Sequence, residues 1–343
     1  MGDTALYRPI LKKAWQITTK FKTLWFFGLF AAILSSGGEF ELLSRVLFNS
    51  KGRGESIMRG IIDNFKLGLE SSLSSGESVW SNAWTSITSS PADILLALLI
   101  LIVTIAIVVF VIWLAVVSQV GLIRNISLNN KNKQTTINDG IDEGVNKFWP
   151  ILIVNVVYKL ILLVIFVLLG KEILLLAKIG SAGVILHIIS LLIFSIVVIV
   201  ISFLVRYQII FMVIKGEKTV DALKSSYNLF KENWLVSIEM AFILFVVYVI
   251  AAYLTAILTS IFLAVPLVFV TYSNQIPVFV IITIGLLSIS AVFVITFLIT
   301  AVLSTFQWAS WTLLFDQINS NKTVAKIARL SERSPNVRIP FKK

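Results

Sequence analysis

Three stretches of this sequence are so long, so apolar and so poor in charge that they can fold only inside a membrane. Ile94–Ile123 holds 30 residues without one charge, and Pro277–Phe315 holds 39. Trp234–Tyr272 is a further apolar run of 39 residues, interrupted only by Glu239. As straight helices these runs would measure ~45 Å and ~58 Å, against ~30 Å for the hydrocarbon core of a bilayer. Because hydrophobic residues make up 57% of the 343, we expect one multi-spanning membrane domain without a soluble enzyme domain.

Polar residues and tryptophans divide the apolar sequence into about six spans. The predicted fold is therefore an all-α polytopic membrane protein built of three helical hairpins. For the first span a retained anchor is favoured over a cleaved signal peptide, because the charged section before it is long and the same pattern recurs in mid-chain. The predicted interface anchors are Trp25, Trp149, Trp234 and Trp308. The spans are expected at Leu24–Leu34, Ile94–Ile123, Trp149–Gly170, Val184–Val205, Leu235–Thr255 and Ser288–Gln307.

Lysines and arginines concentrate on one side of the predicted membrane domain. With six spans, 21 of the 29 lie on the side that holds both termini, seven lie on the other side, and Lys159 lies within the membrane. Cytoplasmic loops carry the excess of Lys and Arg in membrane proteins. Both termini are therefore predicted to be cytoplasmic, in a cell (plasma or inner) membrane. Because this topology accounts for the net charge of +11, we do not expect nucleic acid as a partner.

A basic amphipathic stretch precedes each odd-numbered span. The clearest is Lys218–Trp234, in which apolar residues recur at helical spacing while the lysines fall largely off that face. Residues 1–23 follow the same pattern, and a further copy begins at Thr136, where Asp139 completes a capping box. We expect these helices to lie at the cytoplasmic membrane surface. The apolar residues of the clearest copy are Val220, Leu223, Tyr227, Phe230 and Trp234.

Each amphipathic stretch, together with the hairpin behind it, forms one of three predicted repeat units. Gln119, Gln208 and Gln307 each come late in an even-numbered span and lead into a lysine-bearing polar loop. KTVDALK at 218–224 also resembles KTVAKIA at 322–328, which adds a fourth, partial amphipathic segment. Two spans per unit make neighbouring units parallel, and chance similarity among Leu/Ile/Val-rich segments is the alternative. The units are predicted at about 8–124, 136–214 and 219–315, with an extracytoplasmic insertion at 37–91 and a basic cytoplasmic tail at 316–343.

Two short stretches carry a resemblance to known membrane proteins. AWQITTKFKTLWFFGLF at 14–30 is similar to the start of uncharacterised multi-pass bacterial membrane proteins. DALKSSYNLFKENW at 221–234 resembles the repeated segment of the membrane domain found in some glycerophosphodiester phosphodiesterases. The resemblance covers most of the chain in architecture and is specific in these two stretches. In that family a separate soluble barrel is catalytic, so the resemblance implies a membrane domain without the phosphodiesterase activity.

Two segments outside the six spans carry apolar residues that still need burial. In residues 37–91 such residues keep helical spacing, which favours amphipathic helices on the outer face over a disordered loop. We expect the apolar segment Ala256–Leu287 to fold back into the outer leaflet or to pack against the insertion. The alternative is four spans in this region, which the lack of a polar break near residues 255 and 297 disfavours.

Ionisable residues within the spans give a candidate intramembrane polar site. Lys159 lies ten residues past Trp149, near the middle of the bilayer, where a charge costs roughly 2.5–3.5 kcal/mol and should face protein or water. Asn155 lies one helical turn away and could accept a hydrogen bond from it. Glu239 lies near the inner interface, with Arg206 as its candidate partner. The four residues form either a site for an anionic substrate or lipid head group, or a structural pair with a snorkelling lysine.

The composition excludes most classes of enzyme. The chain has no cysteine, which excludes disulfides and thiolate sites, and its single histidine, His187, cannot build a histidine-rich metal centre. Residues 180–183, Gly-Ser-Ala-Gly, are one position off the Gly-x-Ser-Gly spacing of an intramembrane serine protease. The spans hold no pair of aspartates, and no phosphate-binding glycine loop occurs. We therefore predict no catalytic residue, no cofactor and no metal site.

These observations predict a non-enzymatic integral membrane protein that interacts with lipids or acts as a scaffold. Its basic cytoplasmic segments are expected to bind the bilayer, anionic lipids in particular, or to recruit an unknown protein partner. Homo-oligomerisation stays open. The alternative function is transport of a small anion or lipid that uses Lys159 in the membrane interior.

Overall fold

All the elements of the described structure are α-helices. The computed structural model describes residues 7–34, 91–133, 135–176, 181–271 and 277–320. The helices predicted in the 37–91 insertion and the part of the basic tail beyond residue 320 lie outside this range. The described helices are α1 Tyr7–Lys20, α2 Thr23–Leu34, α3 Pro91–Asn130, α4 Ile137–Asn146, α5 Phe148–Leu176, α6 Ser181–Lys215, α7 Thr219–Thr271 and α8 Val278–Asn319.

Five of these helices, α3, α5, α6, α7 and α8, are long and apolar enough to cross a bilayer. A sixth span results if α1 and α2, which meet at an angle of 109°, are counted together. α2 alone has 12 residues, or ~18 Å, which is shorter than the hydrocarbon core. The prediction of an all-helical, multi-pass membrane protein is confirmed.

A break separates each predicted amphipathic helix from the apolar helix behind it. Residues 21–22 separate α1 from α2, Lys147 separates α4 from α5, and Asn233 has non-helical φ and ψ angles within α7. The predicted capping box is confirmed at the start of α4. The Asp139 backbone N–H donates to Thr136 Oγ1 at 3.3 Å, and the Thr136 N–H donates to the Asp139 carboxylate at 2.9 Å.

α7 and α8 run on as helices through the segment that was expected to fold back. Within α7 the non-helical angles are confined to Asn233, and the helix continues through Pro266 to its end. Whether Ala256–Leu287 folds back into the outer leaflet or packs against the insertion stays a prediction, and its described part forms the ends of two long helices. The helices run on because an apolar backbone in a nonpolar solvent satisfies its hydrogen bonds best within a helix, and one proline removes only one of those bonds.

The chain divides into two compact units, of which one contains Gly37–Trp113 and Val156–Ser202. The described helices of this unit are largely exposed, and in Leu98–Phe110 every residue is exposed. A helix that is apolar on all sides is suited to hydrocarbon and not to water. The unit also holds His187, which is buried with its Nδ1 atom 4.0 Å from the Glu172 carboxylate.

The core of the other unit is formed by the C-terminal segments of α3, α6 and α8. The Trp311 ring of α8 lies 5.5 Å from that of Phe203 and 6.0 Å from that of Tyr207, both on α6. Further along the same two helices, Phe211 and Phe315 meet edge to face at 4.8 Å. These rings are buried, so they exclude water and lipid from the centre of the unit. The unit consists of Met1–Ser36, Leu114–Asn155 and Phe203–Lys343.

Polar side chains connect the ends of the same three helices. Asn130 of α3 donates through Nδ2 to the Asp316 carboxylate of α8 at 2.8 Å. Lys215 of α6 donates through Nζ to Asn319 Oδ1 of α8 at 2.9 Å. Side-chain partners of this kind hold the helix ends in register where the aromatic core stops.

The interfacial helices, a term used here for α1, α4 and Thr219–Glu232 of α7, pack on this core through small residues. Ala14, Gly140 and Ser226 are buried, and each lies seven positions before the break of its helix. A Cβ atom added at Gly140 would lie 3.2 Å from the Cα atom of Gly121 on α3. Small side chains allow this close approach of helix backbones. Each of the three interfacial helices thus has a small buried residue seven positions before its break.

Candidate functional site

Each interfacial helix exposes apolar side chains on the surface that does not pack on the core. Val220, Leu223 and Tyr227 of the third interfacial helix are 64%, 45% and 54% exposed. Val145 of α4 is 48% exposed. Trp15 of α1 lies at the edge of the packed surface: it is 53% exposed, and its ring meets that of the buried Phe306 edge to face at 5.9 Å. Such a stripe on a helix that is otherwise polar is typical of helices that lie in the head-group region of a bilayer. This surface is the candidate functional site.

Exposed lysines accompany the apolar stripe on two of the three interfacial helices. α1 carries Lys12, Lys13 and Lys20, and the third interfacial helix carries Lys224 and Lys231, all exposed. A lysine near an anionic leaflet contributes about 1 kcal/mol of attraction. The two helices therefore expose apolar and cationic side chains together.

α4 differs from the other two because it is acidic. It carries Asp139, Asp142 and Glu143 and no lysine or arginine, so the expectation that all these segments are basic is wrong for α4. Hydrogen bonds from the Thr136 backbone and hydroxyl lower the pKa of Asp139. Glu143 forms an ion pair with Lys147, at 2.6 Å. A carboxylate near a helix N-terminus is favourable, so Asp139, in the first turn of α4, stabilises the helix itself.

The structure places the predicted pair of Lys159 and Asn155 in different surroundings. Asn155 is buried and donates through Nδ2 to Gln119 Oε1 of α3 at 2.9 Å and to the Ile151 carbonyl oxygen at 2.9 Å. Lys159 is exposed, and within the described ranges it forms no hydrogen bond or ion pair. Asn155 therefore connects α5 to α3, whereas the side chain of Lys159 lies on the exposed surface of α5.

Arg206 and Glu239 lie at the same level of two neighbouring helices. Their chain neighbours Tyr207 and Ser237 share a hydrogen bond of 2.8 Å, which connects α6 to α7 at this point. Arg206 is 9% exposed, and its guanidinium lies 5.1 Å from the centroid of a tryptophan ring of α8. Glu239 is half-buried and accepts a hydrogen bond from the hydroxyl of Tyr7. Tyr7, the first residue of α1, is therefore hydrogen-bonded to α7 at this level.

The three glutamines that mark the predicted repeats are all buried and all bonded to another helix. Gln119 accepts the hydrogen bond from α5 described above. Gln208 donates through Nε2 to the Thr219 carbonyl oxygen at 2.9 Å, and Gln307 Oε1 accepts from the Tyr248 hydroxyl at 2.8 Å. Sequence reasoning found the positions from polar residues in apolar runs, but it missed the bonds because the partners lie on other helices.

The four predicted anchor tryptophans occupy three kinds of position. Trp149 and Trp234 are 69% and 46% exposed, as a ring at a membrane interface must be. Trp25 is half-buried and donates through Nε1 to the Thr18 carbonyl oxygen at 2.8 Å, which ties the start of α2 to the end of α1. Trp308 is 3% exposed and belongs to the core.

No protein-family model matches this sequence, and neither a curated protein nor a solved structure matches it. In the part of the chain that the structure describes, no three His, Asp or Glu side chains are grouped so that they could hold a metal ion. The function must therefore be argued from the exposed surface of the interfacial helices and from the polar groups beside it.

Proposed function

We propose that this protein is a non-enzymatic membrane protein whose interfacial helices bind the anionic surface of the cytoplasmic leaflet of the plasma or inner membrane. The observation that carries the proposal is the exposure of apolar and cationic side chains side by side. Trp15 lies beside Lys12 in α1, and Tyr227 lies between Lys224 and Lys231 in α7. Both contributions, apolar burial and attraction to anionic lipid, add to membrane binding.

The packing of the interfacial helices supports this proposal. Ala14 and Ser226 are fully buried against the core, so the helices are held in place before they meet the lipid. A surface that is already ordered loses less conformational entropy on binding than a flexible one. The excess of lysine and arginine on the same side of the predicted topology supports a cytoplasmic position for this surface.

The proposal includes a relationship to the membrane domain of the glycerophosphodiester phosphodiesterases. Its support is the stretch at 221–234, which resembles that domain, and the stretch at 14–30 adds a similarity to the start of uncharacterised multi-pass bacterial membrane proteins. Both stretches contain the break between an interfacial helix and the apolar helix that follows. What the two proteins would share is thus the way in which a surface helix leads into a span.

Vesicle binding by peptides tests the proposal directly. Peptides of residues 1–23 and 218–234 should bind phosphatidylglycerol vesicles more tightly than phosphatidylcholine vesicles, and the difference should shrink as salt shortens the screening length. A peptide of residues 135–150 is the matched control, because α4 is amphipathic but acidic. It should show no preference for the anionic vesicles. Equal binding of the two basic peptides to both kinds of vesicle would remove the proposal.

A further inference from the structure

A cleft of about 490 Å³ lies between α1 and the chain that follows α3. Lys13, Lys20 and Lys133 line it, together with the apolar side chains of Ile17 and Phe21. All three lysines are exposed, and the side chains of Lys20 and Lys133 form no hydrogen bond or ion pair among the described residues, whereas Lys13 donates to the Asn130 carbonyl oxygen. The cleft therefore combines three cations with an apolar side.

A buried hydrogen-bond donor also lines this cleft. Asn129 is 9% exposed, and its Oδ1 atom accepts a hydrogen bond from Thr135 Oγ1 at 3.4 Å. Its Nδ2 atom has no hydrogen-bond partner among the described residues. A buried donor without a partner costs about 1–3 kcal/mol, so a turn of the Asn129 amide toward an acceptor atom of a ligand would remove this cost.

The turn after α3 fixes the position of Lys133. Asn132 has a φ angle of 56°, in the left-handed region that ends many helices. The backbone N–H of Lys133 donates to the Leu128 carbonyl oxygen at 3.1 Å, and that of Asn132 donates to the Asn129 carbonyl oxygen at 3.1 Å. This pair of bonds is the Schellman motif. It turns the chain so that Lys133 joins two lysines that are more than 100 positions earlier in the sequence.

No Asp or Glu lines the cleft, and Asp316 lies beyond its lining. Asp316 accepts the hydrogen bond from Asn130 and also attracts the charges of Lys13 and Lys131. A second cleft, of about 330 Å³, shares Lys133 and contains three carboxylates and Arg124. Within the described residues Lys133 forms no ion pair with them, whereas Glu143 has its Oε2 atom 3.8 Å from the Arg124 Nε atom.

We propose that the cleft between α1 and the end of α3 binds a phosphate dianion, carried as the phosphomonoester of a lipid head group of the phosphatidic acid type or present as free inorganic phosphate. Three ammonium groups match a dianion better than the single charge of a phosphodiester, and the Asn129 amide adds a neutral donor. Ile17 and Phe21 would contact the uncharged part of a lipid. The inference rests on the proposed function, because a lipid reaches the cleft only if α1 lies at the membrane surface.

The full-length protein in nanodiscs provides the test. Discs of phosphatidylcholine receive equal negative charge from either phosphatidic acid or phosphatidylglycerol, and native mass spectrometry counts the lipids that stay bound. We expect a roughly tenfold preference for phosphatidic acid, the ratio that one further charge-assisted hydrogen bond gives. The double substitution Lys20→Gln with Lys133→Gln should abolish this preference. It leaves intact the contact of Lys13 Nζ with the Asn130 carbonyl oxygen, at 3.4 Å, so the fold should persist.

A matched double variant separates the cleft from general charge attraction. Lys224→Gln with Lys231→Gln removes the same charge from the third interfacial helix, where both lysines are exposed. It should weaken the retention of both anionic lipids and leave their ratio unchanged. An equal loss of preference in the two double variants would overturn the assignment of the cleft.

Inorganic phosphate distinguishes the two sources of the phosphoryl group. In discs of phosphatidylcholine alone, phosphate is titrated and its binding is followed by phosphorus NMR. Binding that is lost in Lys20→Gln with Lys133→Gln identifies the free anion, and a phosphatidic acid preference without such binding identifies the lipid. Equal retention of the two lipids without phosphate binding would overturn the cleft. The proposed function is judged by a different result, the binding of the basic peptides to vesicles. It stands if they prefer anionic vesicles and is refuted if they do not, whatever the outcome for the cleft.

Discussion

At the scale of single residues, the hydrogen bond between Asn155 and Gln119 joins α3 to α5 within the buried part of the protein. Asn155→Ala leaves the Gln119 carbonyl group buried without its donor, so we expect a loss of about 1–2 kcal/mol in the free energy of unfolding. Denaturation in detergent micelles measures it. The double variant Asn155→Leu with Gln119→Leu should be less destabilised than the sum of the single variants. A strictly additive loss would show that the two side chains are not coupled.

Replacing Lys159 should favour the structure in the membrane instead of destabilising it, because the charge of this lysine is exposed on an apolar helix. Lys159→Leu should make the membrane insertion of α5 more favourable, by up to roughly 2.5–3.5 kcal/mol. A translocon-insertion assay on the α5 sequence measures this difference. Lys171→Leu, near the other end of the same helix, is the control and should have the smaller effect, because a lysine close to the interface already reaches water. Equal effects of the two substitutions would contradict the central position of Lys159.

Because of its capping box, the stability of helix α4 depends on pH. Hydrogen bonds from Thr136 lower the pKa of Asp139 in the folded protein. The stabilisation from the charged carboxylate is therefore complete above the pKa of the unfolded chain, and it is lost as the pH falls through the lower folded value. NMR titration of the Asp139 carboxyl group in micelles should show the lowered pKa. Thr136→Ala should return it toward the ordinary value for aspartate, and an unchanged pKa in that variant would refute the cause.

At the scale of helices, backbone contact through glycine decides how closely α4 approaches α3. A Cβ atom at Gly144 of α4 would lie 2.6 Å from the Val117 carbonyl oxygen, whereas one at Gly285 of α8 would meet nothing within 4 Å. Gly144→Ala should cost roughly 1–3 kcal/mol through overpacking. Gly285→Ala should be neutral or stabilise by up to about 1 kcal/mol. Thermal unfolding of the two variants compares them, and similar melting temperatures would contradict the close approach of α3 and α4.

How far these elements could be predicted depends on where their determinants lie. The capping box of Thr136 and Asp139 was predictable because all its atoms belong to one turn of one helix. The bond from Asn155 to Gln119 was not, because its partners are 36 positions apart and nothing in either helix specifies the other. The basic cleft was missed for the same reason, since Lys133 joins Lys13 and Lys20 only through the fold.

The long helices show a different limit of sequence reasoning. Bilayer thickness predicts single spans at Leu235–Thr255 and Ser288–Gln307, and it leaves Ala256–Leu287 outside them. The structure continues both helices beyond these spans. Hydropathy identifies which residues avoid water, but it does not say whether an apolar segment bends or runs on. That choice depends on the other helices that pack on the segment, and the residues of the segment do not reveal which helices these are.

At the scale of the whole molecule, the topology can be tested with single introduced cysteines, because the chain contains no native cysteine that would have to be removed first. Single cysteines at Asn146 and Ser320 should react with a membrane-impermeant maleimide only after the cells are permeabilised, since both positions are exposed and belong to the proposed cytoplasmic side. A cysteine at the exposed position Lys171 should react in intact cells. Labelling of Asn146→Cys and Lys171→Cys from the same side would refute the proposed orientation.

The arrangement of the core also sets the order in which the protein can mature during its synthesis. α8 packs against α1, α2 and α7, and its Trp311 sits among buried rings of α6. It is the last described helix to leave the ribosome. Until it arrives, the buried faces of the earlier helices are open to lipid, so insertion into the membrane and folding are separate events. Translation of α8 is therefore the step after which quality-control proteases would no longer recognise the nascent chain as unfinished.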